Sequence, residues 1–287
     1  VAGCSMRRVS AAFLAAAAVF LASCCPAPKP AAHPVPPDID VKASGGGLIC
    51  SRQTIVFGAI PAKLTAAVGE GETAAAMRAF DAALERIEAT NRWASVFRED
   101  SAVSRFNTAV AGEAVQVPPE FIHVMEVSHR VHRLSGGAFD PTVKPLVDLY
   151  RNARNTGRLP APEETSAALA AVGLEKVLVS GDGTASKTAD DVALDFGGVA
   201  KGLGIDDAVE ALKDAGIKGG LVEIGGDLRA FGTRPDGSPW RLGVADPREP
   251  RSVALVITVP LPGGASDAAA VTSGDYEQVY EAGGKRY

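Results

Sequence analysis

The sequence predicts an α+β fold with mixed or antiparallel sheets flanked by helices. Two observations predict it: strands outnumber helices in the second half, and those strands mostly follow one another directly instead of alternating with helices. The chain has 287 residues, 46% of them hydrophobic, ample for one large core or two intimate ones.

The first residues stand apart from that core. Arg7 and Arg8 precede an apolar run over 9–22 that ends in Leu21-Ala22-Ser23-Cys24. A positive start, a short apolar run and small residues make residues 1–23 a signal peptide. Leu-Ala-Ser-Cys also resembles a bacterial lipobox, in which Cys24 is lipidated; the residues alone leave an ordinary cleaved secretory peptide open. Removing 1–23 deletes two arginines and no acid, taking the net charge from −5 to −7. Such a surface suits no nucleic acid. Residues 26–47 are rich in Pro, Ala and Gly, so 24–50 is expected to be a lipidated cysteine and a disordered tether, with the folded domain over 51–287. Cys25 and Cys50 lie in or beside that tether and argue for neither a disulfide framework nor a cysteine metal site.

Residues 53–68 read as one or two strands. A helix is expected over 71–91, where Met77, Phe80, Leu84 and Ile87 form an apolar stripe. Residues 93–107 read as a polar loop carrying Trp93 and Phe97, either of which stacks on a planar ligand or plugs the core. A second helix runs from 118 to about 134, with Phe121, Met125, Val127, Val131 and Leu134 apolar. His129 and His132 lie on it three apart, a spacing that permits metal ligation but also suits solvated or capping roles. Residues 135–142, Ser-Gly-Gly-Ala-Phe-Asp-Pro-Thr, close this helix and open another, with Asp140 placed as its N-cap. Short strands follow at 177–179, 185–187 and 192–194. Residues 219–232 give a strand, a Gly-Gly-Asp turn and a strand, and 239–247 and 252–259 add two more.

Residues 194–204, Leu-Asp-Phe-Gly-Gly-Val-Ala-Lys-Gly-Leu-Gly, carry the most chemistry. A helix follows, with Ile205, Ala208, Val209 and Leu212 at helical spacing and Gly216 at its stop. Adjacent glycines let backbone approach a ligand, a helix N-terminus attracts anions, and Lys201 adds a full charge. The combination suits a phosphate or pyrophosphate, with Asp195 placed to accept hydrogen bonds from a sugar or ring N–H. The pattern fits neither G-x-G-x-x-G nor G-x-x-x-x-G-K-[ST], and a merely structural turn is the plainer reading of this stretch alone.

Six ordered segments together resemble the ApbE family, the FAD:protein FMN transferases: 100–107, 135–142, 194–206, 223–232, 240–247 and 272–276. The resemblance covers most of the chain from about residue 54. It implies an ApbE-like α+β fold and Mg²⁺-dependent transfer of the FMN moiety of FAD to a threonine of a target protein, releasing AMP. It implies that Phe97 packs on the isoalloxazine ring and that Ala138, Phe139 and Asp140 contact the flavin nucleotide. Asp195 and Lys201 would face FAD, and the Gly198 carbonyl would contribute to Mg²⁺. Phe57 falls where the family often has Met-Gly-Thr, a departure. No base is assigned.

The family also carries a His-x-Ile/Leu-Asp-Pro-x-Thr-Gly motif and a later Asp-x-x-Asp-Thr segment, which supplies side-chain ligands to Mg²⁺. Neither occurs before Tyr287. The expectation is therefore a C-terminally truncated member that by itself binds FAD weakly and transfers little. The expected partners are flavin-accepting subunits of membrane redox complexes, met at the extracytoplasmic face of a bacterial membrane through the lipid anchor. An FAD pyrophosphatase and a non-catalytic flavin carrier are the rival readings.

Overall fold

A six-stranded antiparallel sheet carries the fold. The computed structural model describes residues 39–246, 248–249, 252–259, 266–273, 281–282 and 285–286. Strands β1 (Ile39–Ser44), β2 (Gly47–Val56) and β3 (Ile60–Val68) form a meander. The disordered tether expected through residue 50 is thus corrected: the chain is in the sheet from Ile39. Alternating residues Ile39, Val41 and Cys50, Leu48 reach the core, and that burial outweighs the Gly-rich composition that suggested disorder. Cys50 is a fully buried free thiol of β2. The signal peptide, Cys24 and Cys25 lie outside the described residues.

Helix α1 (Thr73–Ala94) follows, then α2 (Ala102–Thr108) inside the segment expected to be a loop. Its signal was Ser101, whose Oγ accepts from Ser104 N at 2.9 Å as an N-cap. After β4 (Val115–Gln116), α3 occupies Pro119–Leu134 as expected, although Leu134 is exposed. Helices α4 (Lys144–Thr156) and α5 (Pro162–Ala171) pack on each other. A 3-10 turn (Leu174–Lys176) leads to β5 (Val177–Val179) and β6 (Thr184–Lys187), which with β4 make a three-stranded sheet in the order β4-β6-β5.

The strand expected at 192–194 does not form. Ala193 makes an isolated parallel bridge to Val143, and the Asn107 side chain serves Leu194 in place of a strand neighbour. Helix α6 (Ala200–Asp214) comes next, then β7 (Gly219–Ile224), β8 (Asp227–Phe231), β9 (Trp240–Ala245), β10 (Val253–Val259) and β11 (Asp267–Ala270). Two short paired strands, β12 (Glu281–Ala282) and β13 (Lys285–Arg286), are the last. The large sheet has the order β1-β2-β3-β7-β8-β11. Gly225 and Gly226, both at positive φ (59° and 88°), make the two-residue β7–β8 turn, which the twist of a hairpin requires.

The sheet buries both faces. On one, Leu64, Ala66, Val222 and Ile224 meet α1 and α6 through Phe80, Ile87, Ile205 and Leu212. On the other, Ala230 packs with Trp240, Leu242 and Val259 of the β9–β10 hairpin. A second core lies under α2, α3 and the smaller sheet and ends in Leu194, Phe196 and Ala200. Residues 194–200 therefore run from the second core to the helix that closes the first.

Candidate functional site

The turn before α6 stands on an aromatic base. Phe196 is fully buried and meets Phe121 edge-on at 5.3 Å and Trp93 at 5.9 Å. Trp93 is thus a core plug. With Phe196 held below, Gly197 and Gly198 are pushed to the surface, where both are exposed. Asp195 Oδ1 accepts from Gly197 N at 2.8 Å, which sets the turn, and Asp195 N donates to Pro141 O at 2.8 Å, which ties it to the 138–142 loop.

Upstream of Asp195, Asn107 fixes the approach. Its Oδ1 accepts from Leu194 N at 2.7 Å and its Nδ2 donates to Leu194 O at 2.9 Å. The buried Lys187 ammonium donates to the carbonyls of Asn107, Asp190 and Val192 at 2.9, 2.9 and 3.0 Å. Burial lowers its pKa, with Asp190 and Asp191 opposing. Three carbonyls satisfy all three ammonium donors, which makes Lys187 a structural cation. Asn107 lies within a segment that the sequence matched; Lys187 was not singled out.

The 138–140 loop meets the glycine turn directly. A Cβ at Gly198 would lie 3.3 Å from Phe139 Cε2, so Phe139 and Gly198 are neighbours and a side chain there would crowd the ring. Ala138 is exposed and Phe139 and Asp140 are half-buried. Asp140 is not the N-cap of α4, which begins after Val143. Its Oδ1 accepts from Thr142 N (2.8 Å) and Thr142 Oγ1 (2.6 Å), and its Oδ2 from Leu174 N (3.1 Å). Thr142 Oγ1 in turn accepts from Gly173 N at 2.7 Å. These bonds close the base of the α4–α5 pair and take up the carboxylate in holding the loop. His132 Nδ1 donates to Phe139 O at 2.8 Å and lies 3.6 Å from Asp140 Oδ2. That bond fastens the loop beyond α3 instead of capping the helix, and among the described residues no three His, Cys, Asp or Glu gather as a metal site.

Lys201, in the first turn of α6, ion-pairs with Asp227 at 2.6 Å. Asp227 opens β8 directly after Gly225-Gly226, so the pair joins the two glycine turns. Phe57 sits in the β2–β3 turn at φ +48°, the sole non-glycine at positive φ among the described residues. A bulky residue there is strained. Its ring presses on α6: a Cβ at Gly204 would lie 3.1 Å from Phe57 Cζ.

Phe57, Phe139, Asp195, Gly198 and Lys201 are thus linked through α6 and its turn, and Ala138 and Asp140 through the adjoining loop. Phe97 stands apart from this chain of contacts. It is 77% exposed, with the Arg151 guanidinium 5.6 Å from its ring centroid, so it plugs no core. Asp227 fell inside a matched segment without a role, and Arg151 gave no signal, because its partner lies on a loop far away in sequence.

The ApbE family model matches residues 59–287. Curated relatives include the FAD:protein FMN transferases of Vibrio cholerae, 36% identical over 204 residues (70% of this chain, 59% of that one), and Haemophilus influenzae, 31% identical over 215 residues (71% and 60%). The chain spans about three-fifths of the length of these relatives. Among solved structures, the ApbE protein of Thermotoga maritima superposes with a TM-score of 0.71 at 29% identity, covering 83% of this chain and 74% of that one. The flavin transferase ApbE of Vibrio cholerae gives 0.66 at 31%, covering 80% and 72%.

Proposed function

The chain belongs to the ApbE family, and from that premise we propose that it holds FAD for transfer of the FMN moiety to a threonine of a target protein. The carrying observation is the exposed Gly197–Gly198 turn at the start of α6, with the Lys201 ammonium in the helix's first turn. Gly197 N is taken by Asp195 and the N–H groups of Val199 and Ala200 by Phe196 O, so what α6 turns toward a diphosphate is the N–H groups of Lys201 and Gly202 in its first turn and the Lys201 cation, held by Asp227. Phe139 beside Gly198 offers an apolar face to the flavin end, the end to which the family resemblance also assigns the exposed Phe97. Asp140, bonded to Thr142 and Leu174, keeps the Phe139 loop in place.

In the proposed reaction a threonine oxygen attacks the FMN-side phosphorus. The bond to the AMP phosphate breaks, AMP leaves with the electron pair, and the hydroxyl proton passes to solvent or to a base. The chain's part is to neutralise and align the diphosphate. Mg²⁺, when bound, would neutralise phosphate charge. It asks for an octahedral set of oxygens, to which the described residues bring the Gly198 carbonyl and no cluster of acidic side chains; they do not by themselves fit the ion. Lipidation at Cys24, an extracytoplasmic membrane face and redox-complex subunits as acceptors rest on the Leu-Ala-Ser-Cys segment and the family resemblance.

The test is a titration of the chain with FAD, followed by incubation with FAD, Mg²⁺ and a threonine-bearing target peptide. Saturable FAD binding, weakened in Lys201→Ala, with AMP released and an FMN adduct on the peptide, is the expected result. FMN and AMP without adduct would replace transfer by hydrolysis. FAD bound and recovered intact would make the chain a carrier, and no binding at all would sink the reading.

A further inference from the structure

Phe97 is the most exposed aromatic ring among the large hydrophobic residues on the described surface, and it is not loose. Its N–H donates to Ser95 Oγ at 3.2 Å. The Ser95 carbonyl accepts from Ser101 Oγ at 2.7 Å, so the loop is fastened to the start of α2. One ring face is covered by the guanidinium of Arg151, reaching across from α4 with Cζ 5.6 Å from the centroid. Arg151 is itself oriented: its Nη1 donates to Asp148 Oδ1 at 3.2 Å, one turn back on the helix, and Asp148 is shared with Lys144. The guanidinium can occupy only one face of the ring. Phe97 as a whole stays 77% exposed.

We propose that Arg151 is a positioning residue for flavin recognition: it clamps one face of Phe97 so that the opposite face is presented, already oriented, to the isoalloxazine ring. This rests on the family-based reading of Phe97 as the flavin-stacking residue. An exposed phenyl ring samples several orientations, and fixing one before binding removes an ordering cost from the complex. A planar guanidinium lies flat on an aromatic face and is attracted by its quadrupole. The effect is confined to the flavin end of the dinucleotide, because the ion pair at Lys201 and the glycine turn serve the phosphates.

The experiment compares the full chain with Arg151→Ala, Phe97→Ala and the double variant, titrated with FAD, FMN and ADP. Both side chains are largely on the surface, so thermal midpoints should stay together and misfolding does not confuse the readout. Arg151→Ala should weaken FAD and FMN by the same factor, about 3- to 5-fold for an exposed cation–π contact, and leave ADP unchanged. Arg151→Lys should recover part of the loss, and in the Phe97→Ala background Arg151→Ala should add nothing. Equal losses for ADP, an undiminished effect without Phe97, or flavin affinities equal to the parent's would overturn the assignment of Arg151 alone. If the parent binds neither FAD nor FMN, the flavin reading falls and this inference with it.

Discussion

A few side chains hold the glycine turn by bonds to backbone, and their worth can be measured singly. Leu194 is fully buried, so Asn107→Ala strands its N–H and C=O together. An unpaired buried polar group costs about 1–3 kcal/mol, and we expect the variant's unfolding free energy to fall by at least that much, read as a lower urea midpoint at unchanged slope. The Lys201–Asp227 pair makes a sharper prediction. Lys201→Ala leaves the largely buried Asp227 carboxylate unpaired near the proposed diphosphate site. It should therefore weaken FAD binding more than the Lys201→Ala/Asp227→Ala double variant does, a coupling of about 1 kcal/mol or more in a double-mutant cycle of FAD affinities. At this scale the sequence was legible where a residue type has one use: glycines for an exposed turn, a lysine at a helix start. Asp140 misled because Asp before Pro reads as a cap, while its carboxylate is engaged by Thr142 and Leu174, the latter on a segment no local pattern connects to it.

Helices α1 and α6 pack against each other, and both bring small buried residues to the shared core, Ala76, Ala79 and Ala83 on one and Ala208 and Ala211 on the other. Small buried residues set a close approach, so Ala83→Leu should push the helices apart. The expected loss is about 1–3 kcal/mol, read as a lower urea midpoint, with FAD binding weakened because α6 carries the turn and Lys201. The expected stripe on α1 was partly right. Phe80 and Ile87 are buried, but Met77 and Leu84 only flank the core, because the rest of the buried face is Ala76, Ala79 and Ala83, which a search for large apolar residues passes over. The missing strand at 192–194 has a similar cause: Val192 and Leu194 are buried as a strand's would be, but their polar groups are served by Lys187 and Asn107.

Across the whole molecule, charge ties α6 to the large sheet. Arg229 of β8 holds Asp267 of β11 through Nε at 2.8 Å and Nη2 at 2.6 Å, and Lys213 of α6 joins the same carboxylate at 2.7 Å. The bond from Arg229 lowers the Asp267 pKa, and Lys213 does the same for Glu210. A carboxylate with a depressed folded pKa stabilises the fold above its ordinary value and loses that contribution as pH falls through the folded one. Stability measured by urea unfolding should thus decline below about pH 4, and Asp267→Asn should flatten that limb while lowering stability at pH 7. The α+β class and the β7–β8 hairpin were legible from strand density and the Gly-Gly turn. The sheet order was not, since β3 pairs with β7, a partner that lies beyond six intervening α-helices. That pairing has a consequence for synthesis. The β1–β3 meander is translated early with the inner edge of β3 open, and the chain must grow through residue 224 before its mate exists. At about 5–20 residues per second, that leaves the edge bare for on the order of ten seconds or more. A holding chaperone that shields extended segments should raise the soluble yield, and its grip should be sought first at Ile60–Val68.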